Sequence, residues 1–225
     1  LSINRHKARL TSGASKHPED TVFGQTFELL GRQNARLFRT SKRMWSVAFI
    51  GEGAEDVGGP YREHLGEICR ELMSSTLSLF VPTANQTGNV GTHRDAFTPN
   101  PSATSQRELQ MYVFIGRMMG AAVRSGEPLN LTLPPLFWKL LFDESVDETL
   151  LLDVDQVCFQ CIRELREMKL KFGEEGRELF NETFETEVFT THTSEGKLRE
   201  LVPGGAKISL TYDNCDEYIS QLVLT

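Results

Sequence analysis

The sequence has no apolar run near the roughly 20 residues of a membrane-spanning helix, and residues 1–10 lack the apolar core of a secretory signal. Cysteine is also scarce. The four cysteines, Cys69, Cys158, Cys161 and Cys215, are too scattered in 225 residues for a disulfide framework. These absences argue against a membrane span and a disulfide-rich secreted domain. We therefore expect a cytoplasmic protein with free thiols.

Motifs of self-contained chemistry are missing as well. The five histidines show no paired spacing on one helix, and no Gly-x-Ser-x-Gly turn presents a nucleophile. Gly51-Glu52-Gly53 is not followed by the lysine of a phosphate loop. Cys158 and Cys161 have a Cys-x-x-Cys spacing without the second pair that zinc requires, so we interpret them as core cysteines, with a redox pair as the alternative. The sequence predicts no cofactor, metal site or catalytic residue.

Charge is distributed unevenly over a chain whose composition is ordinary for a folded protein. Residues 1–142 hold 16 Lys and Arg against 12 Asp and Glu, whereas residues 143–225 hold 8 against 19, so their net charges are +4 and −11. The acidic third argues against a nucleic-acid surface and is typical of a face for a basic partner. A solvated acidic surface is the alternative. A hydrolase using Glu52 and Asp56 is a further hypothesis, although capping or solvated roles for these acids are favoured.

Apolar spacing and cap residues predict an α+β fold that is mainly α-helical. A helix follows Asp20-Thr21, and the glycines Gly116 and Gly120 of a later, buried helix would let another helix approach closely. Residues 82–106 are expected to form a loop, and Cys69 to be a core thiol. The other predicted helices cover about 60–73, 106–123, 155–169, a core-facing segment at 134–142 and a last one after Asp213-Asn214; the predicted strands cover 45–50, 180–189 and 206–211.

Two long blocks resemble the N-terminal lobe of HECT-type ubiquitin-protein ligases. The first is Phe49-x-Gly51-Glu52-Gly53-x-x-Asp56-x-Gly58-Gly59-Pro60-x-Arg62-Glu63. The second runs through Phe114-Ile115-Gly116-Arg117-Met118-Met119-Gly120, Pro128-Leu129 and Phe137-Trp138-Lys139-Leu140-Leu141. Their order makes the resemblance specific, and the first block is most similar to the giant HERC group.

The resemblance implies a basic approach segment at 1–20, a large helical subdomain with a short β element at 21–148, and a small α/β subdomain at 149–225. In this family the small subdomain binds a ubiquitin-conjugating enzyme in an apolar groove. The positions that match groove residues, or neighbour them, are Ile162, Leu165, Met168, Phe184, Tyr218 and Leu222. From spacing alone these residues would be assigned to the core, and the resemblance reverses that preference.

The implied function is recruitment of a ubiquitin-conjugating enzyme, so that ubiquitin passes to a catalytic cysteine and then to substrate lysines. That cysteine, the C-terminal lobe that carries it and the closing helices of the N-terminal lobe are expected outside this chain, which alone would be inactive. Expected partners are the conjugating enzyme, ubiquitin and, through other regions, protein substrates. The alternative is a non-catalytic interaction scaffold with an acidic binding face.

Overall fold

The structure is a computed structural model that describes residues 1–10, 17–53, 58–192 and 198–224. The chain divides into two compact units. The first comprises Leu1–Val81 and Phe97–Thr132, and the second comprises Pro82–Ala96 and Leu133–Thr225. These boundaries differ from those of the predicted subdomains, whose assignment as functional units stays a prediction. None of the helices in the described part of the chain has the length and apolar character needed to span a bilayer.

The fold is α+β and mainly helical, as predicted. The α-helices are α1 (Arg5–Leu10), α2 (Val22–Leu30), α3 (Gly59–Leu72), α4 (Ala84–Gly88), α5 (Gln106–Ser125), α6 (Pro135–Leu141), α7 (Gln156–Phe172), α8 (Arg177–Thr183) and α9 (Cys215–Leu224). Short 3-10 helices cover Pro18–Asp20, Ala35–Phe38, Glu148–Asp153 and Gly205–Lys207. The strands are β1 (Ser2–Ile3), β2 (Ala48–Phe49), β3 (Phe80–Pro82), β4 (Phe97–Pro99), β5 (Thr190–His192) and β6 (Leu198–Glu200).

Each sheet has two strands. β1 and β2 are parallel, with Ser2 opposite Ala48 and Ile3 opposite Phe49. β3 pairs with β4, and β5 pairs with β6 in an antiparallel register that places Thr191 opposite Arg199. Sheets of this size cannot supply a core, because two strands bury little surface by themselves. Packing between helices therefore supplies most of the core in both units.

Aromatic side chains from α2 and α5 form the centre of the first unit. Phe23 and Phe114 are fully buried, with ring centroids 5.9 Å apart, and the Phe27 ring meets Phe114 edge-on at 5.8 Å. Helix ends follow local rules, since the Thr21 side chain accepts a hydrogen bond from the Gly24 N–H at 2.9 Å. The predicted helix starts after Thr21 and near residue 106 are thus confirmed.

Several predictions about the first unit are wrong. An added Cβ at Gly116 or Gly120 would meet nothing within 4 Å, so within the described chain no helix packs closely on these glycines. Burial of α5 is confined to one face, and Val113 on the other is 56% exposed. The start of the chain packs onto the first unit, because β1 pairs with β2 and Arg5 is buried, while the boundary of the approach segment at residue 20 stays a prediction. Only Ala48–Phe49 of the predicted strand 45–50 is paired.

The second unit also departs from prediction. Phe180 lies in α8 rather than a strand. Its buried ring packs edge-on against Phe172 and Tyr212, with ring centroids 6.1 and 5.8 Å apart, and this tertiary packing overrides the β preference of such residues. α4 lies within the predicted loop 82–106. α6 was expected to face a core, yet it has no buried residue and Leu140 is 62% exposed. Cys161 is exposed, not in the core.

Candidate functional site

The candidate site is a face built by α7 and α9 over the core of the second unit. That core consists of buried side chains from both helices and from the segments between them: Ile162, Phe180, Phe189, Leu210, Cys215, Tyr218 and Ile219. Partly buried apolar side chains pack against it, so apolar atoms remain at the surface beside a fixed interior. This arrangement can receive an apolar side chain of a partner.

The start of α7 is fixed by partly buried hydrogen bonds. Asp155 is the N-cap, and its Oδ1 accepts from the Cys158 N–H at 2.9 Å. Asn85 is fully buried; its Oδ1 accepts from the Gln156 N–H at 2.8 Å, and its Nδ2 donates to the Leu152 carbonyl at 2.7 Å. Because a buried amide with several partners has one favourable orientation, these bonds hold the first turn of α7 in place.

An ion pair joins α7 to the start of α9. Lys169 Nζ donates to Asp216 Oδ2 at 2.7 Å and lies 5.0 Å from the centroid of the Tyr212 ring. This hydrogen bond raises the pKa of Lys169 above its ordinary value. The Arg177 guanidinium is 5.5 Å from the same ring centroid. Two cations thus lie near the Tyr212 ring, an arrangement that sequence spacing did not reveal because the three residues come from different elements.

Five of the six predicted groove residues meet at one cluster. Ile162 is 1% exposed and Tyr218 is 8% exposed, with its ring 5.2 Å from that of Phe189. Leu165, Phe184 and Leu222 are partly buried against the same core. Burial raises the pKa of the Tyr218 hydroxyl, so it remains protonated at neutral pH. Ile162 and Tyr218 therefore form the floor of the face, while the partly buried residues are the ones a partner can reach.

Met168 does not belong to this cluster and is 37% exposed. It follows Ile162 by six residues, which on an α-helix corresponds to a rotation of about 240°. Ile162 and Leu165, three apart, lie on one side of α7, and Met168 lies on another. The spacing of three residues had placed Ile162, Leu165 and Met168 on one side of α7, but the rotation of two such steps adds up and carries Met168 away from the cluster. Its role as a neighbour of the groove stays a prediction.

Three of the four cysteines, Cys69, Cys158 and Cys215, are poorly suited to nucleophilic chemistry at neutral pH. Burial raises the pKa of Cys69 and of Cys158 to about 11, and it also raises the pKa of the buried Cys215. A thiol of this kind is almost entirely protonated, and the thiolate is the reactive form. Within the described ranges, no group of three or more His, Cys, Asp or Glu side chains is arranged to hold a metal ion.

The hydrolase hypothesis named Glu52 and Asp56, of which the structure describes Glu52. Its carboxylate is bound by Arg5. The Arg5 guanidinium donates to Glu52 and Glu63, and it lies 3.1 Å from a Glu67 oxygen and 3.8 Å from the centroid of the Phe49 ring. The hydrogen bonds from Arg5 hold the pKa of Glu52 below its usual range. A general acid needs the opposite shift. Glu55 and Asp56 lie outside the described residues.

Comparison with known proteins gives the class. Residues 66–225 match the HECT-domain (ubiquitin-transferase) family, which is more than half of the chain. The chain therefore belongs to the HECT-domain family. It is 30% identical over 223 residues to the E3 ubiquitin-protein ligase HERC2 of Mus musculus and also to that of Homo sapiens, covering 97% of this chain. It is 29% identical over 202 residues, 89% of the chain, to the E3 ubiquitin-protein ligase HUWE1 of Mus musculus. The chain spans only 4% of the length of each of these relatives.

Proposed function

We propose that this chain is the lobe of a cytoplasmic HECT-type ubiquitin-protein ligase that recruits a ubiquitin-conjugating enzyme. Residues 149–225 form the docking subdomain and residues 21–148 the large subdomain. Ubiquitin then passes from the conjugating enzyme to a cysteine of a separate catalytic lobe, and from there to substrate lysines. Membership of the family and similarity to ligases such as HERC2 support this function.

One observation carries the proposal: Leu165, Phe184 and Leu222 remain partly accessible around the buried floor of Ile162 and Tyr218. Apolar side chains held in place by a packed floor lose little conformational entropy on binding, which favours an apolar or aromatic anchor from the partner. The net charge of −11 over residues 143–225 adds attraction toward a partner with a basic face.

The proposal predicts that Leu165→Ala weakens binding to a conjugating enzyme. A transient interface has an affinity near micromolar, about −8 kcal/mol, and truncation of a central leucine costs roughly 1–2 kcal/mol, or about tenfold in affinity or more. Calorimetric titration against a panel of ubiquitin-conjugating enzymes measures this loss. Circular dichroism of the variant keeps loss of binding distinct from loss of folding.

Leu140→Ala is the matched control, because Leu140 lies in the same unit, is 62% exposed and is not packed on the cluster. It should bind as the unchanged chain does. Equal weakening by both substitutions, or no binding by a folded chain across the panel, would contradict the docking function. Binding that responds to salt but not to Leu165→Ala would favour the acidic interaction scaffold instead.

A further inference from the structure

A second surface, on the first unit, has the opposite charge to the rest of the chain. Residues 29–50 contain five basic residues and no Asp or Glu. The net charge of the whole chain is −7, so the remainder without these five cations has a net charge of −12. All five are exposed, and four of them form what we call the cationic strip: Arg32, Arg36, Arg39 and Lys42.

The backbone that carries the cationic strip is fixed to the core. Phe38 is 4% exposed, and its ring packs edge-on against Phe114 at 5.8 Å and Trp45 at 6.3 Å. Met44, which follows the strip, is 5% exposed. Arg117 on α5 donates to carbonyls of the segment before Phe38 at 3.3 and 3.4 Å. The cations therefore project from an anchored segment, and binding would not require that segment to become ordered.

Among the described residues, the four side chains of the strip have no polar partner. No ion pair or hydrogen bond joins any of them to a side chain in the part of the chain that the structure describes. Arg107 provides a contrast, because its guanidinium is bonded to Glu28 at 2.5 Å. Arg43, the fifth cation, has interactions within the protein and is not counted in the strip. Intramolecular ion pairing therefore does not explain this accumulation of charge.

Local geometry aligns part of the strip. Arg36 lies in the 3-10 helix Ala35–Phe38 and Arg39 is its C-cap, with the Arg39 N–H donating to the Arg36 carbonyl at 3.1 Å. Side chains three residues apart in a 3-10 helix fall on the same side. Two guanidinium groups on one side can each bind a carboxylate through two hydrogen bonds. Leu37, the residue after Arg36, is 38% exposed and adds a small apolar surface next to the strip.

We propose that the cationic strip binds an acidic polypeptide segment of a partner protein. A short acidic peptide contacts the strip alone. A membrane surface or a long nucleic acid would extend onto the rest of the first unit, whose residues outside the strip hold 10 Lys and Arg against 11 Asp and Glu and so add no attraction. The strip belongs to the first unit, so this interaction is separate from conjugating-enzyme docking on the second unit, and either can fail without the other.

Fluorescence anisotropy with labelled octaglutamate tests the proposal. The test variant combines Arg32→Gln, Arg36→Gln, Arg39→Gln and Lys42→Gln. The control combines Arg70→Gln, Arg94→Gln, Arg199→Gln and Lys207→Gln, which are exposed cations elsewhere. Both variants remove four positive charges from the net charge of −7. Each exposed ion pair changes affinity by a factor of roughly two to five, so the test variant should weaken binding about tenfold or more while the control stays within about twofold.

Binding should also weaken as salt is raised from about 0.01 M, where the Debye length is about 30 Å, and octaglutamine should not bind. Equal weakening in both variants, or no octaglutamate binding at low salt, would overturn the proposal. Tighter binding to phosphatidylserine vesicles or to single-stranded RNA would overturn it in favour of another polyanion. Circular dichroism checks that the variants are folded. If the test variant unfolds, the double variant Arg36→Gln with Arg39→Gln replaces it. The double variant should weaken octaglutamate binding severalfold.

Discussion

Glu71 offers a sharp test of how helix packing sets the pH dependence of stability. It lies in the last turn of α3, and its carboxylate reaches the start of α2. Oε1 accepts from the Val22 N–H at 2.8 Å, and Oε2 accepts from the Phe23 N–H at 2.7 Å. The first N–H groups of a helix have no partner within it, so Glu71 caps α2 from a neighbouring helix. Burial nevertheless dominates and raises the pKa of Glu71 to about 7.

Proton linkage sets the direction in which stability changes with pH. The folded chain holds the Glu71 proton more tightly than the unfolded chain, where the pKa is near 4.5. The resulting stabilisation is therefore complete below about pH 4.5 and is lost as pH rises through about 7. With 1.36 kcal/mol per pKa unit, this contribution falls by about 2.5 kcal/mol between about pH 5 and pH 8. Glu71→Gln cannot ionise and should remove this part of the pH dependence.

Urea unfolding at several pH values measures the effect. The chain has two tryptophans, and in a Trp138→Phe background the fluorescence of Trp45 reports on the first unit. We expect Glu71→Gln to be destabilising by about 1 kcal/mol near pH 5, because one backbone N–H loses its acceptor. Near pH 8, Glu71→Gln should be at least as stable as the chain that keeps Glu71.

Glu127→Gln is the control for this measurement. Arg62 binds the Glu127 carboxylate through two hydrogen bonds of 3.0 and 3.1 Å and lowers its pKa. A lowered carboxyl pKa affects the pH dependence of stability only at acid pH. The free energy of unfolding of Glu127→Gln should therefore differ from that of the unchanged chain by a constant amount between about pH 5 and pH 8. Greater destabilisation by Glu71→Gln near pH 8 than near pH 5 would refute the reasoning. Such a result would mean that the two hydrogen bonds and the helix dipole lower the pKa of Glu71 by more than burial raises it.

Two further substitutions test buried polar contacts. Asn85→Ala removes a fully buried amide that is bonded to backbone groups of Leu152, Thr92 and Gln156, and it leaves these partly buried groups without that partner. At roughly 1 kcal/mol for each of the three hydrogen bonds, it should lower the free energy of unfolding of the second unit by about 3 kcal/mol, as followed by Trp138 fluorescence in a Trp45→Phe background. An unchanged urea midpoint would show that water replaces the amide. Arg5→Met leaves Glu52, Glu63 and Glu67 without their shared cation and should destabilise the first unit by about 2 kcal/mol, partly screened by solvent. Retained stability in urea would indicate that solvent screens these carboxylates fully.

Much of the helical framework was predictable because its signals are local. Thr21 and the Ser105–Glu108 capping box mark helix starts, and Gly126, with φ 70°, ends α5 in the left-handed region that favours glycine. The spacing of Ile162 and Leu165 likewise placed both on one side of α7. Phe180 was assigned to the wrong element because its environment, not its intrinsic preference, decides its conformation.

The sequence by itself determined the starts of the longer helices, the family motifs and the position of most groove candidates along the chain, since these depend on neighbouring residues and ordered blocks. Only the tertiary structure decided that Ile162 and Tyr218 lie beneath the surface while Leu165 and Leu222 border it. Burial depends on side chains brought together from distant segments, which local spacing does not encode. The same reason explains the roles of Glu71, Asn85 and Arg5, whose partners lie between about seven and seventy residues away.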